Sequence, residues 1–282
     1  MIVECVPNFS GPVAGIARSI AGMAGIHVLD HTFDPDHNRG VITFAGSPEG
    51  VIDAAAACAG LAAHLFDLRR HCGAHPRIGA IDVVPFVPLR GVTLPECAAI
   101  AVRAAERIWA EHGIPAYLYE AAARRACCRN LADVRRRAAA IPPDIGGPAH
   151  HPTAGAVAVG ARKLLIAYNV NLRTADANVA KAIAKRVREA GGGLPCVKAL
   201  GLFLASRNIA QVSMNLTDFE VTSIAAAFEA VEREAASFGV EILESELVGL
   251  APRAALDASV ASRVRLSRFS PDQIIENRLP LE

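Results

Sequence analysis

The stretch IPPDIGGPAHHPTAG, residues 141–155, decides how this chain of 282 residues is organised. Its four prolines and three glycines prevent a regular helix or strand. Such a stretch is a domain linker, a ligand-binding loop, or both at once. The pattern of hydrophobic segments starts again behind it, and we therefore predict a chain of two similar parts that are joined here.

The part behind the loop has the periodicity of a β-α-β-β-α-β unit, which is the split ferredoxin-like order. Thr174 is a predicted N-cap, and Thr217 with Glu220 is a predicted capping box. The predicted strands are 164–169, 197–204, 210–216 and 240–248, and the predicted helices are 175–190, 218–238, 252–265 and a short one near 271.

The part before the loop begins with the same order of elements, although no sequence repeat relates the two parts. The predicted strands are 2–6, 27–32, 40–45, 81–85 and 116–119, and the predicted helices are 12–23, 48–70, 94–111 and 131–140. We therefore predict an α/β (α+β) fold of two ferredoxin-like subdomains side by side. A cleft between two such units is a favoured place for a ligand.

The composition excludes several classes of protein. With 52% hydrophobic residues and a mean hydropathy of +0.30, the chain can bury large cores and needs no disulfides to fold. A net charge of +1 is too small to hold nucleic acid or an acidic membrane surface. Seven cysteines cannot all pair, and the start MIVECVPNF lacks the features of a signal peptide, so we expect a cytoplasmic protein.

The densest polar cluster in apolar surroundings is HCGAHPRIGAID at 71–82. Glycine and proline stop the preceding predicted helix there, so the cluster is expected on a stiff turn that leads into a buried strand. An imidazole at His75, with Arg77 and Asp82 nearby, is what general acid–base catalysis requires. The alternative is that His71 and His75 only cap the helix, whose dipole favours a cation at its C-terminus.

A second polar cluster, DPDHNR at 34–39, is predicted in the turn between two strands. Asp, Asn and Pro are ordinary turn formers, which is the simpler explanation. The functional interpretation places the turn at the same cleft as His75, where Arg39 would bind a carboxylate through two hydrogen bonds. No complete set of metal ligands has suitable spacing in the sequence, and we predict no metal.

Short motifs along the whole chain occur in a characteristic order. Before the loop they are ECVPNFS at 4–10, DHNR at 36–39, GAHPRIG at 73–79 and YLY at 117–119. From the loop onward they are PD at 143–144, GARK at 160–163, AYNVNL at 167–172, AQVS at 210–213 and LVGL at 247–250. This ordered set resembles the glutamate formiminotransferase family, in the form that stands alone rather than fused to a cyclodeaminase.

The resemblance implies two α/β subdomains, 1–161 and 162–282, with a folate-holding tunnel between them. It implies transfer of a formimino group from N-formimino-L-glutamate to tetrahydrofolate, giving 5-formiminotetrahydrofolate and L-glutamate in histidine degradation. It also implies a homodimer, and tetrahydrofolate as the co-substrate without a metal.

Carried over to this sequence, the family's catalytic histidine is His75. One imidazole with a pKa of about 6.5 can accept the proton of the attacking N5 and protonate the departing glutamate nitrogen. Arg77 and Asp82 are its candidate catalytic neighbours, and Asp82 either orients His75 or balances Arg77. Because the donor carries two carboxylates, Arg39, Arg77 and Arg162 are natural partners for it. The remaining candidates for substrate or folate binding are Asn38 and, in the loop 146–155, Gly146, Gly147, His151 and Gly155.

Other functions stay open at this point. A transferase of the same fold could act on N-formylglutamate or 5-formyltetrahydrofolate. A folate-binding protein without turnover, or a scaffold in which both clusters are only turns and caps, would not need an imidazole at position 75.

Six arginines lie between residues 124 and 137, against the single acid Asp133. Such charge runs are usually the solvated face of a helix, and we prefer that interpretation here. The alternative is a strip that attracts the polyglutamate tail of cellular folates.

Overall fold

The computed structural model describes residues 1–35, 38–72 and 76–279. The chain divides into two compact units, Met1–Lys163 and Leu164–Glu282. Each unit has its own sheet with helices packed against it, so the predicted α/β architecture is confirmed. Among the helices of these described residues, none has both the length and the hydropathy that crossing a bilayer requires.

The first unit is built around a mixed sheet. Its helices are α1 (Ala14–Ala21), α2 (Pro48–Leu65), α3 (Leu94–His112) and α4 (Leu131–Arg137). Its strands are β1 (Ile2–Cys5), β2 (Asn8–Phe9), β3 (Ile26–Asp34), β4 (Arg39–Gly46), β5 (Ile81–Arg90), β6 (Ala116–Glu120) and β7 (Val157–Ala161).

Strands β1 and β2 lie end to end between β4 and β5, so the spatial order is β3–β4–β1/β2–β5–β7–β6. The first four positions have the predicted ferredoxin-like order, with antiparallel pairing. Strand β7 extends this sheet through parallel pairing with β5 and β6. It is absent from the predicted strands because its residues, VAVGA, show no alternation and follow directly on the proline- and glycine-rich loop.

Helix α2 begins as predicted and ends earlier than predicted. Ser47 accepts a hydrogen bond from Gly50 N, and Pro48 occupies the first turn. The helix stops at Leu65 because Phe66 is extended and the Asp67 side chain captures Arg69 N in a short 3₁₀ turn. The long helix predicted to reach residue 70 is therefore wrong, and His71 lies beyond α2 in an extended segment.

The two faces of this sheet are different. Helices α1, α2 and α3 cover one face, where Cys5, Phe9 and Ile81 join the main core. On the opposite face the short helix α4 packs against β6, and Val134 belongs to a small core that includes Tyr117 of β6 and Val83 of β5. Along β1, β2 and β5, the residues next to these core residues therefore point to the opposite face, and some of them are polar.

The second unit is a four-stranded antiparallel sheet in the order β11–β8–β10–β9, which confirms the predicted ferredoxin-like arrangement. Its strands are β8 (Ile166–Leu172), β9 (Val197–Leu204), β10 (Ile209–Leu216) and β11 (Ile242–Val248), and its helices are α5 (Ala177–Val187), α6 (Ile224–Ser237), α7 (Ala258–Arg263) and α8 (Ile275–Arg278). Gly201 lets α5 approach β9 closely, because a Cβ at this position would lie 2.1 Å from Lys181 N.

Two predicted helix starts in this unit are wrong: α5 begins at Ala177 instead of 175, and α6 begins at Ile224 instead of 218. Helix α5 is capped by Asp176, which accepts a hydrogen bond from Asn178 N. Helix α6 is capped by Ser223, because the hydroxyl of Thr217 instead donates to the carbonyl of Cys196. In each case a different polar side chain was closer to the first helical turn.

Candidate functional site

The centre of the candidate site is the carboxylate of Asp82, which is fully buried in β5. Its Oδ2 accepts hydrogen bonds from Arg39 Nη1 at 2.9 Å and from Arg135 Nη2 at 2.6 Å. Its Oδ1 accepts one from Ile78 N at 2.8 Å. The Arg39 guanidinium also donates to Asn8 Oδ1 at 2.9 Å, which links β4 with β2.

The strand pattern explains why these groups meet. Ile81 faces the helix-covered core, whereas Val83 joins the small core on the opposite side, because β5 has a register shift against β2 here. The hydrogen bond from Arg135 of α4 shows that Asp82 faces that opposite side as well. Phe9 likewise faces the core, which turns Asn8 to the same side as Asp82. Arg135 reaches that side from α4, whose Val134 belongs to the small core on the opposite face.

The surrounding charges keep Asp82 ionised. Burial by itself raises the pKa of this carboxyl, yet the guanidinium groups of Arg135 and Arg39 outweigh it and hold the pKa below the usual range. Burial also lowers the pKa of Arg39, although a guanidinium stays protonated in proteins. The site is therefore a buried carboxylate between two cations, with a net positive charge.

Arg77 lies between the two polar clusters of the sequence. Its Nη1 donates to the carbonyl of Asn38 at 3.3 Å and contacts Nε2 of His71. The Asn38 side chain in turn donates to the carbonyl of Cys72 at 2.9 Å. The structure thus brings together Asn38 and Arg39 from the turn with Arg77 and Asp82 from the second cluster.

His71 is held against a cation. Burial and the Arg77 guanidinium lower its pKa, against a hydrogen bond with the Ser10 backbone that raises it. The imidazole is therefore neutral near pH 7, which does not fit the alternative of a charged helix cap. The predicted catalytic His75 lies outside the described residues, as do Asp36 and His37.

The loop 146–155 is anchored by backbone hydrogen bonds to the segment that precedes Asp82. The loop carbonyl of Ala154 accepts a hydrogen bond from Ala80 N at 2.8 Å, and the carbonyl of Ile78 accepts one from Ala156 N at 2.9 Å. Gly155 has a φ of +72°, and a Cβ there would lie 2.3 Å from the Ile78 carbonyl oxygen. The end of the loop is therefore fixed directly beside the Asp82 segment.

The other loop candidates have local roles. The backbone of His151 exchanges two hydrogen bonds with Gly155, and its Nδ1 accepts a hydrogen bond from Ala154 N at 3.0 Å. Gly146 has a φ of +99° and lies against the Trp109 ring, and Gly147 follows it over the same ring. Trp109 of α3 thus supports the start of the loop.

Arg162 lies apart from the Asp82 group. Its backbone N donates to the Phe86 carbonyl and its Nη1 to the Lys163 carbonyl, and no hydrogen bond joins it to Asp82 in the described part of the chain. Its charge instead acts on Glu4, which is only 5% exposed. Burial raises the pKa of Glu4 to about 7, and Arg162 opposes that shift.

Sequence reasoning missed Arg135, which belongs to the site, and the buried carboxylate of Glu4. Arg135 was expected on a solvated helix face, and that expectation is wrong because its side chain is only 16% exposed. The interpretation suits Arg136, which is 75% exposed and pairs with Asp133. The signal for Glu4 was a charged residue inside a hydrophobic strand, since Val3 and Cys5 on either side of it belong to the core.

The comparisons with known proteins agree with this fold. The family model described as formiminotransferase domain, N-terminal subdomain, matches residues 2–162, and the formiminotransferase domain matches residues 167–270. Glutamate formimidoyltransferases of Streptococcus pyogenes serotype M1 and Thermoplasma acidophilum are each 42% identical over 99% of this chain, and over 98% and 97% of their own lengths. Formimidoyltransferase-cyclodeaminase of Sus scrofa is 42% identical over 92% of this chain and 52% of its own length.

Two α/β units, matched in order by the two family models, define a formiminotransferase type of transferase. The chain belongs to the formiminotransferase family, as its sequence motifs predicted. Among the described residues, no group of three or more His, Cys, Asp and Glu side chains is arranged to hold a metal ion.

Proposed function

We propose that this protein transfers the formimino group of N-formimino-L-glutamate to N5 of tetrahydrofolate, producing 5-formiminotetrahydrofolate and L-glutamate. The observation that carries the proposal is the 42% identity, over 99% of the chain, to a protein named glutamate formimidoyltransferase. The charges of the candidate site support it, since Arg39, Arg77 and Arg135 outnumber Asp82 and suit a substrate with two carboxylates.

Within this proposal His75 is the general acid–base. The attacking nitrogen must lose a proton and the leaving glutamate nitrogen must gain one, and a single imidazole can carry out both transfers in turn. The segment that follows His75 supports the assignment because it is rigid. Ile78 N is bound to Asp82, and the Ile78 carbonyl is bound to the end of the loop.

Asp82 has a positioning role in the proposal. It fixes the guanidinium groups of Arg39 and Arg135 on one side of the sheet, where fixed cations bind an incoming carboxylate with little loss of side-chain entropy. Arg77 and Asn38 extend this group at the turn, and Arg162 is a separate candidate for the second carboxylate.

The loop 146–155 is the proposed folate-binding segment, with Gly146, Gly147, His151 and Gly155 in contact with the folate. Its two ends are supported by Trp109 and by the Asp82 segment, so its backbone is held in place before a ligand arrives. A preformed loop of this kind binds a ligand at a lower entropic cost than a mobile one.

The proposal also includes a division of the chain at 161/162, a tunnel for the folate, a homodimer and a cytoplasmic location. All seven cysteines are free thiols, which is consistent with a reducing compartment. Light scattering on the purified protein determines the oligomeric state, and twice the mass of 29.6 kDa is the expected result.

The direct test is the reaction itself. The purified protein is incubated with tetrahydrofolate and N-formimino-L-glutamate, and the folate product is identified by mass spectrometry while glutamate release is measured in parallel. Equal amounts of 5-formiminotetrahydrofolate and glutamate are expected. Folate binding without product would show a binding protein and contradict the proposal.

A further inference from the structure

The second unit carries a row of buried polar side chains on the sheet face that its helices do not cover. Tyr168, Val170 and Val212 face the helices and belong to the core of this unit. Their neighbours Asn169 and Gln211 therefore face the other side, where cross-strand pairing places Glu246 opposite Asn169. None of these polar residues belongs to the site described above.

Three of these residues form what we call the acceptor cluster: Asn169, Gln211 and Glu246. Oε1 of Glu246 accepts hydrogen bonds from Asn169 Nδ2 at 3.0 Å and from Gln211 Nε2 at 2.8 Å. Gln211 is 3% exposed and Asn169 is 8% exposed, so both amides are fixed within the sheet face. The Glu246 carboxylate is therefore held by two neutral donors.

The neighbouring carboxylate provides an internal comparison. Glu244 forms an ion pair with Arg207 at 2.6 Å and accepts a hydrogen bond from Asn171. The hydrogen bond with Arg207 lowers the pKa of Glu244, against some desolvation. Glu246 has no cation partner of this kind among the residues that the structure describes.

In the acceptor cluster the amide donors are already used, whereas several oxygen acceptors are not. The amide donors of Asn169 and Gln211 are already used on Glu246 and, for Gln211, also on Asn171. Within the described chain, Oε2 of Glu246, Oδ1 of Asn169 and Oε1 of Gln211 accept no hydrogen bond. Glu246 is only half-buried, and a ligand with several N–H groups would supply donors to these oxygens.

The surroundings of the cluster indicate the shape of that ligand. Gln211, Asn169 and Glu246 lie on β10, β8 and β11, which are neighbouring strands. The backbones of these strands are about 4.8 Å apart, and the three side chains converge on Oε1 of Glu246, so their oxygens form one compact group of acceptors. On the adjacent strand β9, Leu200 lies opposite Ser213 and is 62% exposed, so an apolar surface borders the cluster.

We propose that the acceptor cluster binds the donor edge of the tetrahydropterin ring, with Glu246 accepting from the 2-amino group and N3–H. The inference rests on the proposed function and assigns one subsite within it. The ring presents several N–H groups along one edge and has flat faces that suit a leucine side chain. A carboxylate that faces two adjacent N–H groups accepts both at once, as it does with a guanidinium.

Binding of folinate and of its 2-desamino analogue to the whole protein tests the assignment by calorimetry. Wild type is expected to bind folinate about ten- to a hundredfold more tightly than the 2-desamino analogue, and this ratio of affinities is the usual effect of one hydrogen bond to a charged group. In Glu246→Gln the new amide donor faces the 2-amino group, so the ratio should fall to about one. Glu244→Gln is the matched control, in which the ratio should be retained.

Two results would overturn the assignment. If Glu246→Gln keeps both the wild-type ratio and the wild-type KM for N-formimino-L-glutamate, the cluster is a structural network only. If the variant binds both folates normally and instead raises KM for N-formimino-L-glutamate, the cluster binds the amidine of the donor. Asn169→Ser removes Oδ1 together with the Nδ2 donor to Glu246, and it should weaken folinate binding. Thermal unfolding verifies that each variant is folded.

These outcomes are independent of the proposed function. Loss of the folinate preference can be measured in a protein that shows no turnover, because the readout is binding. A wild type that transfers the formimino group and whose Glu246 variant binds normally would support the function and refute the subsite.

Discussion

Arg135 Nη2 lies 2.6 Å from Asp82 Oδ2, and this contact ties helix α4 to strand β5. The next residue along α4, Arg136, pairs with Asp133 at the surface and is 75% exposed. Two adjacent arginines of one helix thus have different roles, and each is the control for the other.

Replacing Arg135 with Gln removes one of the two cations that hold the buried Asp82 carboxylate. We expect the free energy of unfolding to fall by about 1–3 kcal/mol, the cost of losing a hydrogen bond to a buried charge. Urea denaturation measures the change. Arg136→Gln should stay within about 0.5 kcal/mol of wild type, because exposed ion pairs contribute little. Equal effects of the two substitutions would contradict the placement of Arg135.

The sequence was sufficient to predict most of the fold and only part of the site. The strand 197–204 has the predicted bounds, because a short hydrophobic run between a glycine-rich turn and a polar hairpin determines both ends. The turn at Arg39 and the segment at Asp82 were each singled out from residue types. The choice of Arg135 among six arginines depends on which side of α4 packs against the sheet, and only tertiary structure decides that. The same is true of the competing caps at Thr217 and Ser223.

Replacing Asp82 with Asn leaves Arg39 and Arg135 buried without a counter-charge. We expect a loss of about 3–5 kcal/mol in the free energy of unfolding at neutral pH, the usual cost of removing one partner of a buried ion pair. Asp133→Asn, which affects a surface pair on α4, is the control and should change stability by less than about 1 kcal/mol.

The same variant has a predictable pH dependence. The pKa of Asp82 is lowered in the folded state, so its stabilising contribution is present above the ordinary value of 3.8 and is lost as pH falls through the folded-state value. The difference between wild type and Asp82→Asn should therefore shrink in acid. A constant difference down to pH values where the protein unfolds would argue against an ionised Asp82.

Glu4 should give the opposite pH dependence. Burial raises its folded-state pKa from 4.5 to about 7, so its stabilising contribution is complete below 4.5 and is lost as pH rises through 7. Relative to Glu4→Gln, wild type should lose about 3 kcal/mol between those limits, since one pKa unit corresponds to about 1.4 kcal/mol. Chemical denaturation at a series of pH values measures this, with Glu106→Gln on the exposed side of α3 as control. Parallel curves for wild type and Glu4→Gln would show that the pKa of Glu4 is the same in the folded and unfolded states.

Replacing His75 with Asn should lower kcat by about two to four decades, the usual contribution of a general acid–base group. Folinate binding and the melting temperature should change little, because a side chain that only transfers protons adds little to either. His71→Asn is the comparison, as His71 is a neutral imidazole beside Arg77. A larger loss of kcat in His71→Asn than in His75→Asn would transfer the acid–base role to His71.

Folinate should protect the amides of the loop 146–155 from hydrogen exchange. The loop is fixed at both ends, so a bound ligand should slow exchange mainly in the residues between Gly146 and Gly155. Mass spectrometry after exchange locates the protection, with the glycine turn at 191–193 as an internal reference. Protection at the reference turn and none in the loop would leave the loop as a linker.

The measurement that tests the central claim most directly is a comparison of kcat/KM for one-carbon donors with tetrahydrofolate as acceptor. N-formimino-L-glutamate and N-formyl-L-glutamate differ only in an imine nitrogen and a carbonyl oxygen, and the reverse transfer from 5-formyltetrahydrofolate to glutamate completes the set. The account predicts that the formimino donor is preferred by at least about a hundredfold, because an active site that binds a substrate N–H discriminates strongly against an analogue without it. A formyl donor that is used equally well or better, or no transfer from any donor, would contradict it.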